Sequence, residues 1–238
     1  GSNQNQVILT LSSAVNPTNA ANISVAYTDL AGNQSSGVIQ DLAGNDAATW
    51  AARSATSFTS STSSLTLAAA TSLTTASLTG ATNLNLTGND AANTLIGNDG
   101  NNVITGGLGA DRLTGNGNTD TFTYSNNNQS LLGTGAAFDI ITDFSTSLDK
   151  IDISRITSGS QTAANLTGTA VTALTQTGIS KVLTNSTFGA GVFGAVFTFN
   201  GGYYLAINDT NQGFQATTDA IVQLTGVTST TAGQVSLI

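Results

Sequence analysis

The strongest constraint on the fold is a nine-residue repeat that occupies residues 88–123. Glycine holds the first position of all four repeats, and the eighth position is always apolar, as Leu95, Ile104, Leu113 and Phe122. Each repeat divides into a six-residue turn, where glycine permits positive φ, and a three-residue strand whose central side chain points inward. A period this strict predicts a solenoid of short strands and argues against a Gly/Asn-rich loop.

The sixth position of each turn carries an oxygen-bearing side chain: Asn93, Asn102, Asp111 and Asp120. Carbonyl and carboxylate oxygens that converge on one point suit calcium, which accepts many oxygen ligands in flexible geometry. The repeats resemble the Gly-Gly-x-Gly-x-Asp-x-U-x motif of the RTX (repeats-in-toxin, hemolysin-type) family. The resemblance implies an all-β fold, a parallel β-roll in which two repeats form one coil. It also implies bound Ca²⁺ between stacked turns, with Asn93 beside Asp111 and Asn102 beside Asp120.

Only residues 106–114 match the motif at every position, because the first two repeats carry Asn in place of Asp and the last has Asn118 in place of Gly. An Asn side chain offers a carbonyl oxygen but no charge, so we expect Asp111 and Asp120 to be the strongest ligands. The expected set also includes turn positions that contribute backbone oxygens: Gly106, Leu108, Gly115 and Gly117. Asp90 and Asp99, at the third positions, could supply missing charge or be solvated turn residues.

Two segments after the repeats read Phe138-Asp-Ile-Ile-Thr-Asp-Phe144 and Leu148-Asp-Lys-Ile-Asp-Ile-Ser-Arg-Ile156. They resemble the segment that closes the β-roll in serralysin-type metalloproteases and other RTX exoproteins. By this resemblance, acidic residues there cap the roll or bind further calcium; ordinary turn and N-cap aspartates are the alternative. These residues are Asp139, Asp143, Asp149 and Asp152. Asp209 and Asp219, around one bend nearer the carboxyl end, are a weaker calcium candidate.

The sequence predicts four segments. Residues 1–53 alternate apolar and polar side chains and resemble the end of an Ig-like repeat of bacterial surface proteins. Residues 54–86 are rich in Ser and Thr and form either a solenoid extension or a disordered linker. Residues 87–156 are the roll with its closing segment, and residues 157–238 are an antiparallel carboxyl-terminal cap with a hairpin around Asn200-Gly201-Gly202. The final Val235-Ser-Leu-Ile238 resembles a type I export signal and could equally be an edge strand.

Composition excludes several classes of function. The chain has no Cys, His or Glu, so zinc, haem and iron–sulfur sites, disulfides and a Ser-His-Asp triad are excluded. Only 8% of residues are charged, and the net charge is −8. With five scattered Lys and Arg residues, the chain is not expected to bind nucleic acid, and it has no apolar run long enough to span a membrane.

We therefore expect a non-catalytic, calcium-dependent folding and type I secretion module at the carboxyl end of an exported adhesin or surface-layer protein. Gly1-Ser2 without Met suggests an expression scar on a fragment of that protein. The expected location is secreted or at the cell surface, and the expected partners are calcium and the secretion machinery. The alternatives are the tail of a secreted RTX hydrolase, or a module that binds a glycan or like copies through Trp50, Tyr203 and Tyr204.

Overall fold

The computed structural model describes two short strands near the amino end and most of residues 58–238. Its gaps after residue 58 are 68, 70–72, 133–137, 157–163, 166–169, 189–191, 210 and 229–234. The chain divides into two compact units, Gly1–Ser57 and Phe58–Ile238. In the first unit, β1 (Ser24–Val25) pairs antiparallel with β2 (Arg53–Ser54). The other residues of the predicted Ig-like segment 1–53, Trp50 among them, lie outside the described residues.

The second unit contains two sheets built from short strands that alternate along the chain. The smaller sheet is entirely parallel and runs, in spatial order, from the carboxyl-terminal strand back to the start of the unit. Its strands are β17 (Ser236–Leu237), β12 (Lys150–Asp152), β10 (Thr121–Thr123), β8 (Val103–Thr105), β6 (Asn85–Thr87) and β4 (Leu65–Thr66).

The larger sheet joins the other face of the roll to the carboxyl-terminal region. Its parallel part contains β3 (Phe58–Ser61), β5 (Thr75–Leu78), β7 (Thr94–Ile96), β9 (Arg112–Thr114) and β11 (Asp139–Ile141). It continues through β16 (Ala220–Leu224), β15 (Gly202–Ile207), β14 (Gly194–Phe199) and β13 (Ala164–Asn165). Strand β15 pairs antiparallel with both β14 and β16, whereas β16 pairs parallel with β11. The Ser/Thr-rich residues 58–78 thus contribute strands to the same sheets as the repeats.

The register confirms that two repeats form one coil. Leu95 pairs with Leu113 in one sheet and Ile104 pairs with Phe122 in the other, so strands two repeats apart are neighbours. The eighth-position side chains and Leu86 are at most 1% exposed, while their flanking residues are exposed or half-buried. The apolar period therefore fills the interior between the two sheets, and the RTX-like all-β roll is confirmed.

The carboxyl-terminal region caps this roll with its own apolar cluster, which includes Phe188, Phe197, Tyr204 and Ile221. The hairpin predicted from Asn200-Gly201-Gly202 is present, with φ of 47° at Asn200 and 77° at Gly201 as a tight turn requires. Helix is limited among the described residues to a 3-10 turn (Asn127–Ser130) and α1 (Gln176–Ser180). No helix in the described part of the chain is long and apolar enough to cross a membrane.

The buried side chains between the two sheets can be tested by substitution, with an exposed residue of the same strand as the control. Ile104 is fully buried and Val103, the preceding residue of β8, is 40% exposed. We expect Ile104→Ala to lower the free energy of unfolding by about 2–5 kcal/mol, because it leaves a cavity between the sheets. Val103→Ala should change it by about 0.5 kcal/mol or less. Urea denaturation in excess calcium measures both, and equal losses would contradict the placement of this strand.

Candidate metal centre

The sixth-position side chains form a ladder of hydrogen bonds along each edge of the roll. On the first edge, the Asn93 N–H donates to Asp111 Oδ1 at 2.8 Å. The Asp111 N–H donates in turn to Asp139 Oδ1 at 2.8 Å. Each side chain therefore satisfies a backbone donor in the neighbouring coil, and the predicted pair of Asn93 and Asp111 is brought together.

The second edge repeats this arrangement with different residues. The Asn102 N–H donates to Asp120 Oδ1 at 2.8 Å, and the Asp120 N–H donates to Asp149 Oδ1 at 2.9 Å. The predicted pair of Asn102 and Asp120 is thus also in contact. Asp139 and Asp149 occupy the next rung of each ladder, although 28 and 29 residues separate them from their partners instead of 18.

In each of the two turns that carry Asp at the sixth position, 106–111 and 115–120, one carboxylate oxygen has no hydrogen bond to a described residue. Asp111 is 2% exposed and Asp120 is fully buried, and the Oδ2 atom of each has no hydrogen-bond partner in the described part of the structure. Burial raises the pKa of Asp111 to about 6, against the hydrogen bond from Asn93. Burial likewise raises the pKa of Asp120 to about 6, against the hydrogen bond from Asn102 and with a contribution from the charge of Asp149. Unpaired buried oxygens of this kind are costly unless a positively charged group binds them.

The backbone of these two turns is left-handed at the second and fourth positions. The second positions, Gly107 and Asn116, have φ of 107° and 71°, in the left-handed region. The fourth positions, Gly109 and Asn118, have φ of 112° and 71°. Asn tolerates this conformation better than most residues, so the departure from the motif at Asn118 does not change the turn. We call these two turns, 106–111 and 115–120, the open turns.

The two asparagine turns have a different internal structure. Asn93 Oδ1 accepts the N–H of Asn89 at 2.8 Å, and Asn102 Oδ1 accepts the N–H of Asn98 at 2.8 Å. Neither Asn89 nor Asn98 has a positive φ, so the second-position N–H points to the sixth-position side chain. We call these turns, 88–93 and 97–102, the closed turns, because the side-chain oxygen that is free in the open turns is here bonded within its own turn.

First-position glycines allow oxygens to crowd into each turn. A Cβ atom at Gly106 would lie 2.1 Å from Asp111 Oδ2, and one at Gly115 would lie 2.3 Å from Asp120 Oδ2. A Cβ atom at Gly88 would lie 2.0 Å from the Gly106 carbonyl oxygen, in the adjacent coil. The missing side chain of the first-position glycine therefore leaves room for the free carboxylate oxygen in the open turns, and for a carbonyl of the adjacent coil at Gly88.

An oxygen-only donor set suits a calcium ion better than a transition metal. No group of three or more His, Cys, Asp or Glu residues that could hold a metal occurs within the described ranges. A cation in an open turn would therefore depend on one aspartate and on backbone and amide oxygens. Among the other predicted ligands, Leu108 has an exposed side chain and Gly117 faces open space, so either would contribute only its carbonyl. Asp90 and Asp99 are exposed on the turn surface.

The closing aspartates bind backbone and side-chain donors at the end of the roll. Asp139 is fully buried, and its second oxygen accepts the Tyr124 hydroxyl at 3.0 Å. Burial, followed by the charge of Asp111, raises the pKa of Asp139 to about 8. Asp143 accepts the N–H groups of Gly115 and Asn116 at 3.0 and 2.8 Å. These two carboxylates cap the last repeats.

Asp149 and Asp219 each close a loop by accepting a hydrogen bond from the backbone N–H four residues earlier. Asp149 Oδ2 accepts the N–H of Ser145 at 2.8 Å, and Asp219 Oδ2 accepts the N–H of Gln215 at 2.7 Å. Burial raises the pKa of Asp149, and it raises that of Asp219 to about 6. The other oxygen of Asp219 accepts the N–H of Asp209 at 2.9 Å. Both oxygens of Asp219 are therefore occupied by backbone donors four and ten residues earlier.

The two remaining predicted ligands are bonded locally. Asp209 accepts the N–H and side-chain amide of Asn211 at 2.8 and 2.7 Å. Burial acts to raise the pKa of Asp209, but hydrogen bonds, first that from the Asn211 N–H, outweigh it and lower the pKa. Asp152 accepts the N–H of Ser154 at 2.9 Å. Metal binding by these residues stays a prediction.

The role of the second-position residues of the turns was not predicted from the sequence. Asn89 and Asn98 decide whether a turn is closed, and Asn116 shows that an open turn does not require glycine there. The signal was present in the sequence, since both closed turns pair Asn at position two with Asn at position six. Tyr124, which holds Asp139, was not singled out because its bond depends on the loop that follows the repeats.

A protein family and a solved structure are similar to this chain. The family described as "Peptidase M10 serralysin C terminal" matches residues 72–232. The solution structure of the AlgE6R2 subunit from the Azotobacter vinelandii mannuronan C5-epimerase is similar over 73% of this chain and 85% of that chain, with 22% sequence identity and a TM-score of 0.38. No curated protein matches. Because the family match covers more than half of the sequence, the chain belongs to the serralysin C-terminal family, a non-catalytic domain with an RTX β-roll.

Proposed function

We propose that this chain is a non-catalytic module that binds calcium in its open turns and completes its fold around the bound ions. The observation that carries the proposal is the pair of buried, unpaired oxygens, Asp111 Oδ2 and Asp120 Oδ2. Each lies beside a first-position glycine, Gly106 or Gly115, whose missing side chain leaves room for it. Bound calcium would supply the positive charge that these oxygens lack.

Charge then couples binding to folding. Without an ion, the roll must bury the carboxylates of Asp111 and Asp120 near those of Asp139, Asp143 and Asp149, which raises its free energy. Where calcium is scarce, as in a cytosol, this cost keeps the open turns unfolded. Where calcium is abundant, as outside the cell, the binding free energy becomes folding free energy.

We further propose that the module is secreted by a type I pathway. A chain without Cys forms no disulfides that would obstruct passage through a channel. The carboxyl-terminal residues resemble an export signal, and in the folded protein Val235 and Leu237 are buried while β17 pairs with β12. The tail would therefore be available to an exporter only before the roll closes.

The parent of the module is either a surface protein or a secreted hydrolase. The Ig-like segment supports an adhesin or surface-layer protein, and the family, which is named for serralysin peptidases, supports a hydrolase tail. A glycan site built on Tyr204 has less support, because its ring is 6% exposed and stacks on Phe197 at a centroid distance of 5.5 Å. The upstream protein sequence distinguishes the two parents.

Removal of one open-turn carboxylate should remove a calcium site. We expect Asp111→Asn and Asp120→Asn each to lose a site or to weaken it about tenfold or more, because affinity follows ligand charge. Asp90→Asn and Asp99→Asn remove the same charge from exposed positions on the same edges and should have little effect. Isothermal titration calorimetry gives the stoichiometry and affinity. Equal losses in all four variants would show a general charge effect instead of two sites.

Calcium removal should unfold part of the roll. We expect EGTA to reduce the β signal in far-UV circular dichroism, because the buried carboxylates of the open turns then lack a counter-ion, and calcium to restore it. Magnesium at the same concentration is the control, since its smaller size and stricter geometry suit these turns less well. A spectrum that is the same in EGTA and in calcium would contradict the proposed function.

The tail can be tested separately from the fold. We expect deletion of residues 235–238 to leave the protein inside cells that carry a type I exporter. Ile151→Asp disrupts the strand that pairs with Leu237 but keeps the tail intact, so it should be exported and fail to fold. The secreted and cell-associated protein are measured by immunoblot. Export that is unchanged by the deletion would show that the tail is an edge strand and not a signal.

A further inference from the structure

Asparagine amides in the closed turns bind the carbonyl oxygens of the preceding coil. On the second edge, Asn98 Nδ2 donates to the carbonyls of Thr79 and Thr82 at 3.3 and 3.0 Å. Asn102 Nδ2 donates to the carbonyl of Leu84 at 3.2 Å. Three carbonyl oxygens of one turn are thus bonded by two neutral side chains of the next.

The first edge has the same feature in the closed turn nine residues earlier, 88–93. Asn89 Nδ2 donates to the Leu73 carbonyl at 3.1 Å, and Asn93 Nδ2 donates to Asn89 Oδ1 at 3.0 Å. Asn102 Nδ2 likewise donates to Asn98 Oδ1 at 2.9 Å. Positions two and six of a closed turn therefore form one connected set of amides, and the hydrogens of that set point at acceptor oxygens.

The open turn at 106–111 has no amide that could play this part. Its second position is Gly107, where an added Cβ atom would lie 2.2 Å from the Asn89 carbonyl oxygen. Its sixth position is Asp111, which can only accept hydrogen bonds when ionised. The open turn at 115–120 is intermediate, because Asn116 Nδ2 donates to the Gly97 carbonyl at 2.6 Å while Asp120 Oδ2 remains unpaired.

A primary amide can satisfy converging carbonyls without an ion. Its two N–H groups present partial positive charge, and the side chain carries no net charge that would repel its neighbours. A closed turn therefore buries satisfied polar groups at any calcium concentration. An open turn buries an unsatisfied carboxylate oxygen until a cation binds.

We propose that the amides of Asn89, Asn98 and Asn102 replace bound cations in the first part of the roll. Residues 73–105 then form a calcium-independent seed, and the turns that carry Asp111 and Asp120 add to this seed only with calcium. Coils that contact mainly their neighbours can open separately in this way. This inference rests on the proposed function, because it contrasts the seed with open turns that bind calcium.

Hydrogen exchange of the full chain, followed by mass spectrometry in EGTA and in calcium, tests the proposal. We expect peptides from β5 to β8 to be protected in both conditions, and peptides from β9, β10 and β12 to be protected only in calcium. If all of these strands exchange rapidly in EGTA and all become protected in calcium, the seed is overturned while the calcium-binding function stands. If calcium changes none of them, the proposed function is overturned, and the seed proposal fails with it.

A matched pair of substitutions tests the role of the amide itself. Asn102→Asp exchanges the buried donor for a carboxylate, so protection of β6 and β8 in EGTA should fall about tenfold and calcium should restore it. Asn101→Asp adds the same charge one residue earlier, at an exposed side chain that accepts the Thr119 N–H and can still do so. In Asn101→Asp, the protection of β6 and β8 in EGTA should be unchanged. An equal fall in both variants would assign the effect to charge alone and overturn the role of the amide.

Discussion

The roll depends on one hydrogen bond that is repeated between coils: a backbone N–H at the sixth position of a turn donates to a side chain at the sixth position of the next. The acceptor in all four bonds is an aspartate oxygen, on Asp111, Asp120, Asp139 or Asp149. In the open turns the second carboxylate oxygen of Asp111 and of Asp120 has no partner among the described residues, whereas in the closed turns Asn93 and Asn102 Oδ1 accept an N–H of their own turn. This difference decides whether the turn is complete without a ligand.

Backbone conformation and side-chain identity change together in these turns. Where position six is Asp, positions two and four adopt positive φ, and the second-position N–H turns away from the carboxylate. Where position six is Asn, the second-position N–H bonds to it. A carboxylate in the closed-turn backbone would place an oxygen where the Asn102 amide now donates to the Leu84 carbonyl and to Asn98 Oδ1. That oxygen would have no donor, so a change at position six alone would leave the turn in need of a cation.

The sequence predicted the repeating coils and the hairpin around Asn200-Gly201-Gly202, but it did not place the aspartates that follow the repeats. Leu95 and Leu113, or Ile104 and Phe122, identify the coil because their period fixes which strands are neighbours. Asp139 and Asp149 fill the next rungs after longer loops, and spacing alone could not place them, since loop length does not fix where a rung residue lands. Asp219, predicted as a weaker calcium candidate from its residue type, closes a loop through two backbone donors, and metal binding by it stays a prediction. Residue type indicated oxygen chemistry, and only three-dimensional contacts separated free oxygens from bonded ones.

The end of the chain links the roll to the proposed export. Strand β17 pairs with β12, and β12 lies against β10, the strand that directly follows the open turn of Asp120. The Asp120 N–H donates to Asp149 immediately before β12, so this rung and the β12 strand form together. If the open turn requires calcium, the surface that binds the carboxyl-terminal residues exists only after calcium binds. The tail then stays accessible wherever calcium is scarce. It becomes buried when the chain reaches a calcium-rich solution and the roll closes.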